Sequence, residues 1–125
     1  MSTSLAQLTI VIPAKNEARL LPNLLESICR QDYPLLRSTK IFVADAGSTD
    51  GTQELALGFT DRLDIEVIAG GLPSVGRNAG AKCATTPYVV FIDADMELKD
   101  PTLLRRSMAL IERRTPKFQP WTGGA

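Results

Sequence analysis

Four short runs of β-branched and aromatic residues, each followed by a stretch with helical spacing, constrain this chain more than any other feature. The runs are Leu8 to Ile12, Ile41 to Ala44 closing at Asp45, Ile65 to Ala69, and Tyr88 to Ile92. The first is almost continuously apolar, as in a strand buried on both faces, and strands alternating with helices describe parallel βαβ units. Pro13 is expected to end the first strand, since proline brings no N–H to a ladder. Pro22 opens a helix reaching about Arg30, with Leu24, Leu25, Ile28 and Cys29 on its buried stripe. Thr52 to Leu57 reads as a short helix. After a loop at Gly70–Pro73, Ser74 is the expected N-cap of a helix running toward Ala84. Asp100 as N-cap and Pro101 start a last helix whose inner face is Leu103, Leu104, Met108 and Ile111. Right-handed crossovers then put helices on both faces of a twisted parallel sheet. Residues 1–114 are expected to form one α/β domain. From Thr115 the pattern dissolves, and Pro116, Pro120, Gly123 and Gly124 predict a frayed tail over 115–125. Phe118 and Trp121 there read either as core residues for a partner segment or as incidental.

Composition matters for what it excludes. Lys+Arg and Asp+Glu are balanced at 14 each, so no overall field draws nucleic acid or an anionic membrane. Arg105, Arg106, Arg113 and Arg114 read as the solvated face of a helix, with lipid head groups as the weaker alternative. The chain has no histidine, which removes Ser-His-Asp and Cys-His catalysis and disfavours zinc. Cys29 and Cys83 match neither a disulfide framework nor a metal-ligand pattern. Both are expected to be buried in a reducing cytosol, Cys83 as a small core residue. Leu8 to Ile12 is too short for a membrane span or a signal core. The expected location is cytoplasmic, with peripheral membrane contact as the alternative.

The polar residues fall at the carboxyl ends of the strands, where ligands bind in open parallel sheets. Asn16 and Glu17 follow the first strand, Asp45 the second, and Asp93 and Asp95 the fourth, which describes a single site. In an extended Asp93-Ala94-Asp95 both carboxylates face one space while Ala94 packs behind. Adjacent anions need a cation, and Mg²⁺ or Mn²⁺ is the natural one, usually with phosphate oxygens. The bland alternative is a solvated turn. In Asp45 to Thr52, Gly47 permits a positive φ and Asp45 is expected to project past its strand toward a base or ribose. The alternative is a connection that uses Gly, Ser and Asp only to turn and cap. Gly76-Arg77-Asn78 is expected to open a helix, where a guanidinium beside the N-terminus suits a diphosphate; an exposed first-turn arginine is the plain alternative. Pro13 to Glu17 alone could be a strand–helix loop and nothing more. No G-x-x-x-x-G-K-[ST] and no G-x-G-x-x-G is present, so P-loop and dinucleotide folds are unsupported. The place after the first strand holds Pro13-Ala14-Lys15-Asn16-Glu17 instead of the Gly-rich loop a nucleotidyltransferase would need.

Taken in order and at these spacings, four segments resemble family 2 glycosyltransferases: Thr9 to Glu17, Val43 to Thr52, Gly76 to Ala81, and Phe91 to Asp95. The resemblance implies a Rossmann-like, parallel-sheet GT-A half-domain with helices on both faces, binding a nucleoside-diphosphate sugar (a UDP- or GDP-sugar). By matched position, Pro13, Ala14, Asn16, Glu17 and Asp45 would hold nucleobase and ribose, and Arg77 would lie near the base or diphosphate. Asp93 would contact ribose or metal, and Asp95 would hold the metal. Family members often carry two acids before the Gly, and here the second position is Ala46. The family places its acceptor site, and in inverting members a catalytic carboxylate, in a second half, and nothing after Leu98 matches it. Asp100 and Glu112 are better used in capping and on a solvent face. The expectation is a truncated chain that binds donor but transfers sugar poorly, with catalytic residues and acceptor unassigned. A non-catalytic nucleotide-binding module needing a partner segment is the alternative. Apolar edges left exposed would favour self-association.

Overall fold

The computed structural model describes residues 7–114; the expected tail over 115–125, with Phe118 and Trp121, lies outside them. In chain order the elements are β1 (Leu8–Ala14), α1 (Leu21–Cys29), a short 3₁₀ turn (Leu36–Ser38), β2 (Lys40–Asp45), α2 (Thr52–Leu57), β3 (Asp64–Ala69), α3 (Pro73–Cys83), β4 (Tyr88–Phe91) and α4 (Leu103–Arg114). The four strands form one sheet in the order β3-β2-β1-β4, and every pairing is parallel. The α/β fold expected from the alternating pattern is present.

Side-chain alternation along β1 decides what covers each face. Leu8, Ile10, Ile12 and Ala14 join the main apolar core with Ile41 and Val43 of β2, Leu21, Leu24, Leu25 and Ile28 of α1, and Leu104 and Met108 of α4. Burying an Ile or Leu side chain of this kind stabilises by about 1.5–3 kcal/mol, so this face carries most of the hydrophobic stabilisation. The opposite face presents Val11, Pro13 and Ala44 to α3, whose Gly76 and Gly80 lie against them. Right-handed crossovers explain the split. The chain moves outward from β1 through β2 to β3 with α1 and α2 on one face. It then reverses direction to reach β4, which throws α3 onto the other.

Several local expectations are corrected. β1 continues through Pro13 to Ala14. The Ile92 N–H donates to the Val11 carbonyl and the Ala46 N–H to the Ala14 carbonyl, so β1 faces β4 at Val11 and β2 at Ala14. Pro13 therefore faces the β4 side, beyond the end of β4 at Phe91, where no ladder bond is lost. Ser74 does not cap α3, which begins at Pro73 after Leu72 with no side-chain cap; proline's fixed φ suits the first helical position. Cys29 is half-buried and Cys83 exposed, because Cys83 closes α3 beside an open depression lined by Thr9, Lys40 and Phe42. Leu103 is likewise exposed, while Leu104 and Met108 are buried. Arg105 and Arg106 sit on a solvated face, paired with Asp32 and Asp100. Among the described residues no helix is long and apolar enough to cross a membrane.

Candidate functional site

The sheet reverses its order between β1 and β4, and in open α/β sheets the crevice at such a switch point is where ligands sit. A cleft of about 610 Å³ opens there. Pro13, Ala14, Lys15 and Glu17 line it from the end of β1, Ala46 from β2, Gly71, Leu72, Pro73 and Arg77 from the start of α3, and Asp93, Ala94 and Asp95 from beyond β4. Three carboxylates and two cations therefore share one concave surface, although 17 and 95 are far apart in sequence. Among the described residues neither Lys15 nor Arg77 makes an ion pair, so both charges are available to an anion.

Each wall has a local cause. The Glu17 carbonyl accepts from the Leu20 and Leu21 N–H groups at 3.1 and 2.8 Å, which starts α1 and leaves the Glu17 side chain facing the cleft. The Asp93-Ala94-Asp95 segment is a turn and not the extended chain expected: the Met96 N–H donates to the Asp93 carbonyl at 3.0 Å. Ala94 is buried in the core cluster, while Asp93 and Asp95 are exposed on the cleft side. Seating Ala94 inward thus turns its neighbours outward by a different geometry from the pleat. Arg77 lies in the second turn of α3 and not the first, because α3 starts at Pro73. The buried Gly76 beside it, against Pro13 and Ala44, brings this part of α3 down onto the sheet.

Asn16 and Asp45 do not line the cleft. The Asn16 N–H donates to the Ser48 hydroxyl at 2.7 Å, and its side-chain oxygen accepts from the Thr49 N–H at 2.9 Å. This holds Asn16 at φ +52°, a region asparagine tolerates better than most residues. The Glu17 and Ala18 N–H groups donate to Thr52 Oγ1 and Asp50 Oδ2. The two loops after β1 and β2 are therefore stitched together across about thirty residues of sequence. Asp45, only 4% exposed, points into its own loop rather than past the strand. It accepts from the Ser48 hydroxyl at 2.6 Å, the Ser48 N–H at 2.9 Å and the Gln53 amide at 2.8 Å. Gly47 takes φ +75° and lets the chain bend back to deliver those donors.

Burial pushes the Asp45 carboxyl up, but the Ser48 and Gln53 donors outweigh it and hold its pKa below the usual carboxylate value. Asp50 is also lowered, first by the Thr52 hydroxyl. A carboxyl depressed in the folded state adds stability above its unfolded pKa of about 4, and that stability is lost as pH falls through the folded value. Asp45→Asn should therefore lower the melting temperature at pH 7 yet narrow the fall in melting temperature between pH 5 and pH 3. An acid limb as steep as wild type would exclude Asp45 as a contributor.

Lys15 belongs to the site but carries no signal beyond its place between Ala14 and Asn16. The apolar wall of Leu72 and Pro73 was legible only as a loop. The hydrogen-bond partners of Asn16 and Asp45 depend on which loops meet, and local spacing does not specify that.

Comparison with known proteins agrees with this fold. The sequence model of the family described as Glycosyl transferase family 2 matches residues 9–116. A validoxylamine A glucosyltransferase of Streptomyces hygroscopicus subsp. jinggangensis is 36% identical over 90 residues, covering 69% of this chain and 21% of the relative. A PGL/p-HBAD biosynthesis glycosyltransferase of Mycobacterium bovis is 33% identical over 115 residues, 86% of this chain and 43% of the relative. The crystal structure of S. aureus TarS 1-349 in complex with UDP superposes with a TM-score of 0.78 and 25% identity, over 86% of this chain and 32% of that one. The mannosyltransferase PcManGT of Pyrobaculum calidifontis, in complex with GDP-Man and Mn²⁺, gives 0.77 and 26%, over 91% and 34%. This chain thus spans between about a fifth and two-fifths of the length of these proteins, and the parallel sheet is the GT-A arrangement they share.

Proposed function

This chain belongs to glycosyl transferase family 2, and on that premise we propose that its cleft holds the nucleoside diphosphate of a sugar donor with the help of a divalent cation. The observation that carries the proposal is the composition of the cleft at the switch point: two cations, Lys15 and Arg77, which make no ion pair among the described residues, line it together with the carboxylates of Asp93 and Asp95. Pro13, Ala14, Leu72 and Pro73 offer apolar surface to a flat base, and Glu17 offers an acceptor to sugar or base donors. Arg77, with fixed donors in a planar fork, suits phosphate oxygens, and Lys15 adds a mobile charge. Asn16 and Asp45 act one step back, by holding the loop that carries Lys15 and Glu17.

The donor set fits Mg²⁺ or Mn²⁺. Among the described residues no three acidic, His or Cys side chains gather around one point, so the protein would give Asp93 and Asp95 and leave the other positions to phosphate oxygens and water, a common arrangement for these ions. Bound there, the ion would neutralise charge on the departing diphosphate. Sugar transfer itself is proposed for a protein of its relatives' length. Asp100 is occupied with the Thr102 N–H and hydroxyl, and the base that activates an acceptor is sought outside these residues.

Calorimetric titration of UDP, GDP, UDP-GlcNAc and GDP-Man, each with Mn²⁺ and with EDTA, tests this reading. Binding of one nucleotide series that strengthens with Mn²⁺ supports it. Folded protein that binds none of the four under either condition overturns it. A non-catalytic nucleotide-binding module would behave identically here and separates from an enzyme only by transfer activity when the downstream segment of a relative is supplied.

A further inference from the structure

The acidic turn is short, exposed and attached to an edge strand, yet its carboxylates must keep a fixed spacing to share an ion. What holds it comes from residues that contribute nothing to the cleft, Ser27 in the C-terminal half of α1 and Gln31 and Asp32 just after that helix ends. Ser27 is fully buried. Its hydroxyl donates to the Leu24 carbonyl at 2.7 Å and accepts the Leu98 N–H at 2.9 Å, three residues beyond Asp95. Gln31 ties that segment to the helix after it: Nε2 donates to the Asp100 carbonyl at 2.7 Å, and Oε1 accepts the Leu104 N–H at the start of α4 at 3.0 Å. The Asp32 N–H donates to the Pro101 carbonyl at 2.8 Å, and the Asp32 carboxylate takes Arg105 at 3.0 Å.

This is more than the usual capping of a helix start. Residues 96–102 contain no helix or strand, so their backbone groups have no ladder to join and must find partners elsewhere. They find them in the C-terminal half of α1 and the residues just after it: the buried side chains of Ser27 and Gln31 and the main-chain N–H of Asp32. On the other side the turn is pinned by the Ile92 N–H on the Val11 carbonyl and by Ala94 in the core. The acidic turn is thus suspended between β1 on one side and the end of α1 with the residues that follow it on the other.

We infer that Ser27 and Gln31 are positioning residues for the metal-binding carboxylates: they fix the height and tilt of the 93–95 turn without touching ion or nucleotide. The inference rests on the function proposed above. Groups hydrogen-bonded to metal ligands typically govern affinity by about 10–100-fold; Ser27 and Gln31 act through the backbone beyond the turn, which places their effect at the lower end. Ser27→Ala strands the Leu98 N–H, and Gln31→Leu removes both amide bonds while keeping the volume. Each should weaken Mn²⁺ binding to the protein–UDP or protein–GDP complex by roughly tenfold, leaving nucleotide affinity in EDTA unchanged.

The experiment is Mn²⁺ titration followed by the paramagnetic resonance of free Mn²⁺, at saturating UDP or GDP, on wild type, Ser27→Ala, Gln31→Leu and Thr39→Val. Thr39 is also fully buried and its hydroxyl donates to the Leu35 carbonyl at 2.7 Å, but it precedes β2 at the end of the sheet away from the cleft. It matches the loss of one buried hydroxyl bond without touching the suspension. Weakened Mn²⁺ binding in Gln31→Leu (and in Ser27→Ala if it folds), with Thr39→Val like wild type, supports the inference. Equal weakening in Thr39→Val, or wild-type Mn²⁺ affinity in Gln31→Leu, overturns it and leaves the nucleotide reading standing. Absence of Mn²⁺-linked nucleotide binding in wild type overturns both.

Discussion

Asp95→Ala is expected to abolish the Mn²⁺-dependent part of nucleotide binding while leaving the fold intact. Asp95 is exposed in a turn whose anchor is its neighbour Ala94, so removing its carboxylate leaves no cavity and strands no buried donor. Surface changes of this kind usually alter stability by within about 0.5 kcal/mol. The effect on the ion is of another order. If Asp93 and Asp95 hold the ion as proposed, losing one removes half of the protein's direct hold. Even outer-shell changes cost about 10–100-fold, so a direct ligand should cost at least a hundredfold. Calorimetry with and without Mn²⁺, paired with a thermal melt, reads both quantities at once. A mutant that melts like wild type and keeps its Mn²⁺ enhancement would remove Asp95 from the ion's ligands. It would also return the turn to the plain solvated role that Asp residues after strands often have.

The second large effect is expected at Gly80, on the buried face of α3. A Cβ placed there would meet Cγ1 of Val11 closer than carbon atoms approach one another, and Cγ2 at 2.7 Å. Val11 is fully buried on the central strand and β-branched, with few rotamers to retreat into. Gly80→Ala therefore pushes the helix off the sheet. Alanine's better helix propensity returns up to about 1 kcal/mol, but overpacking of this kind costs typically about 1–3 kcal/mol and occasionally more. The net should be a clear loss, roughly 5–10 °C in melting temperature. Because Arg77 rides on the same helix one turn earlier, lifting α3 should also weaken nucleotide binding in the protein that remains folded. Val11→Ala should partly restore Gly80→Ala, though it is destabilising alone; a double mutant no better than the sum of the singles would show that the contact is not the cause.

How much of this was readable beforehand follows from how local each determinant is. The strand positions and α2 were legible because β-branched runs and helical spacing are properties of adjacent residues. Pro13 misled because its effect depends on which neighbour its missing N–H would have met, and that is decided by β4 ending early. Ser74 looked like a cap, yet Pro73 had already set the first helical φ. Asp93 and Asp95 do share a space, as spacing suggested, but through a turn over a buried Ala94. The hardest residues were those whose partners lie in other loops or helices. Nothing in Asp45 to Thr52 says that Ser48 will meet Asn16, and nothing around Ser27 says that its hydroxyl will take the Leu98 N–H. Such partnerships exist only once the sheet order is set.

The order of the sheet also bears on when the cleft comes into being as the chain folds. Ile10 pairs with Ile41 across β1 and β2, whereas Leu8 pairs with Tyr88 across β1 and β4. Closing the longer loop costs about 0.6–0.9 kcal/mol more in chain entropy, and four register pairs return less than the five on the other side of β1. β1, β2 and β3 can assemble as a three-stranded nucleus from near neighbours, with β4 joining afterwards. The wall bearing Asp93 and Asp95 is then the last to order and the first to open. Amide exchange at Ile92 faster than at Val43 would display that hierarchy in the native protein, and equal protection would refute it. A ligand that bridges the acidic turn to Lys15 and Arg77 would tie the late-arriving strand to the early nucleus, so donor binding would also complete the fold.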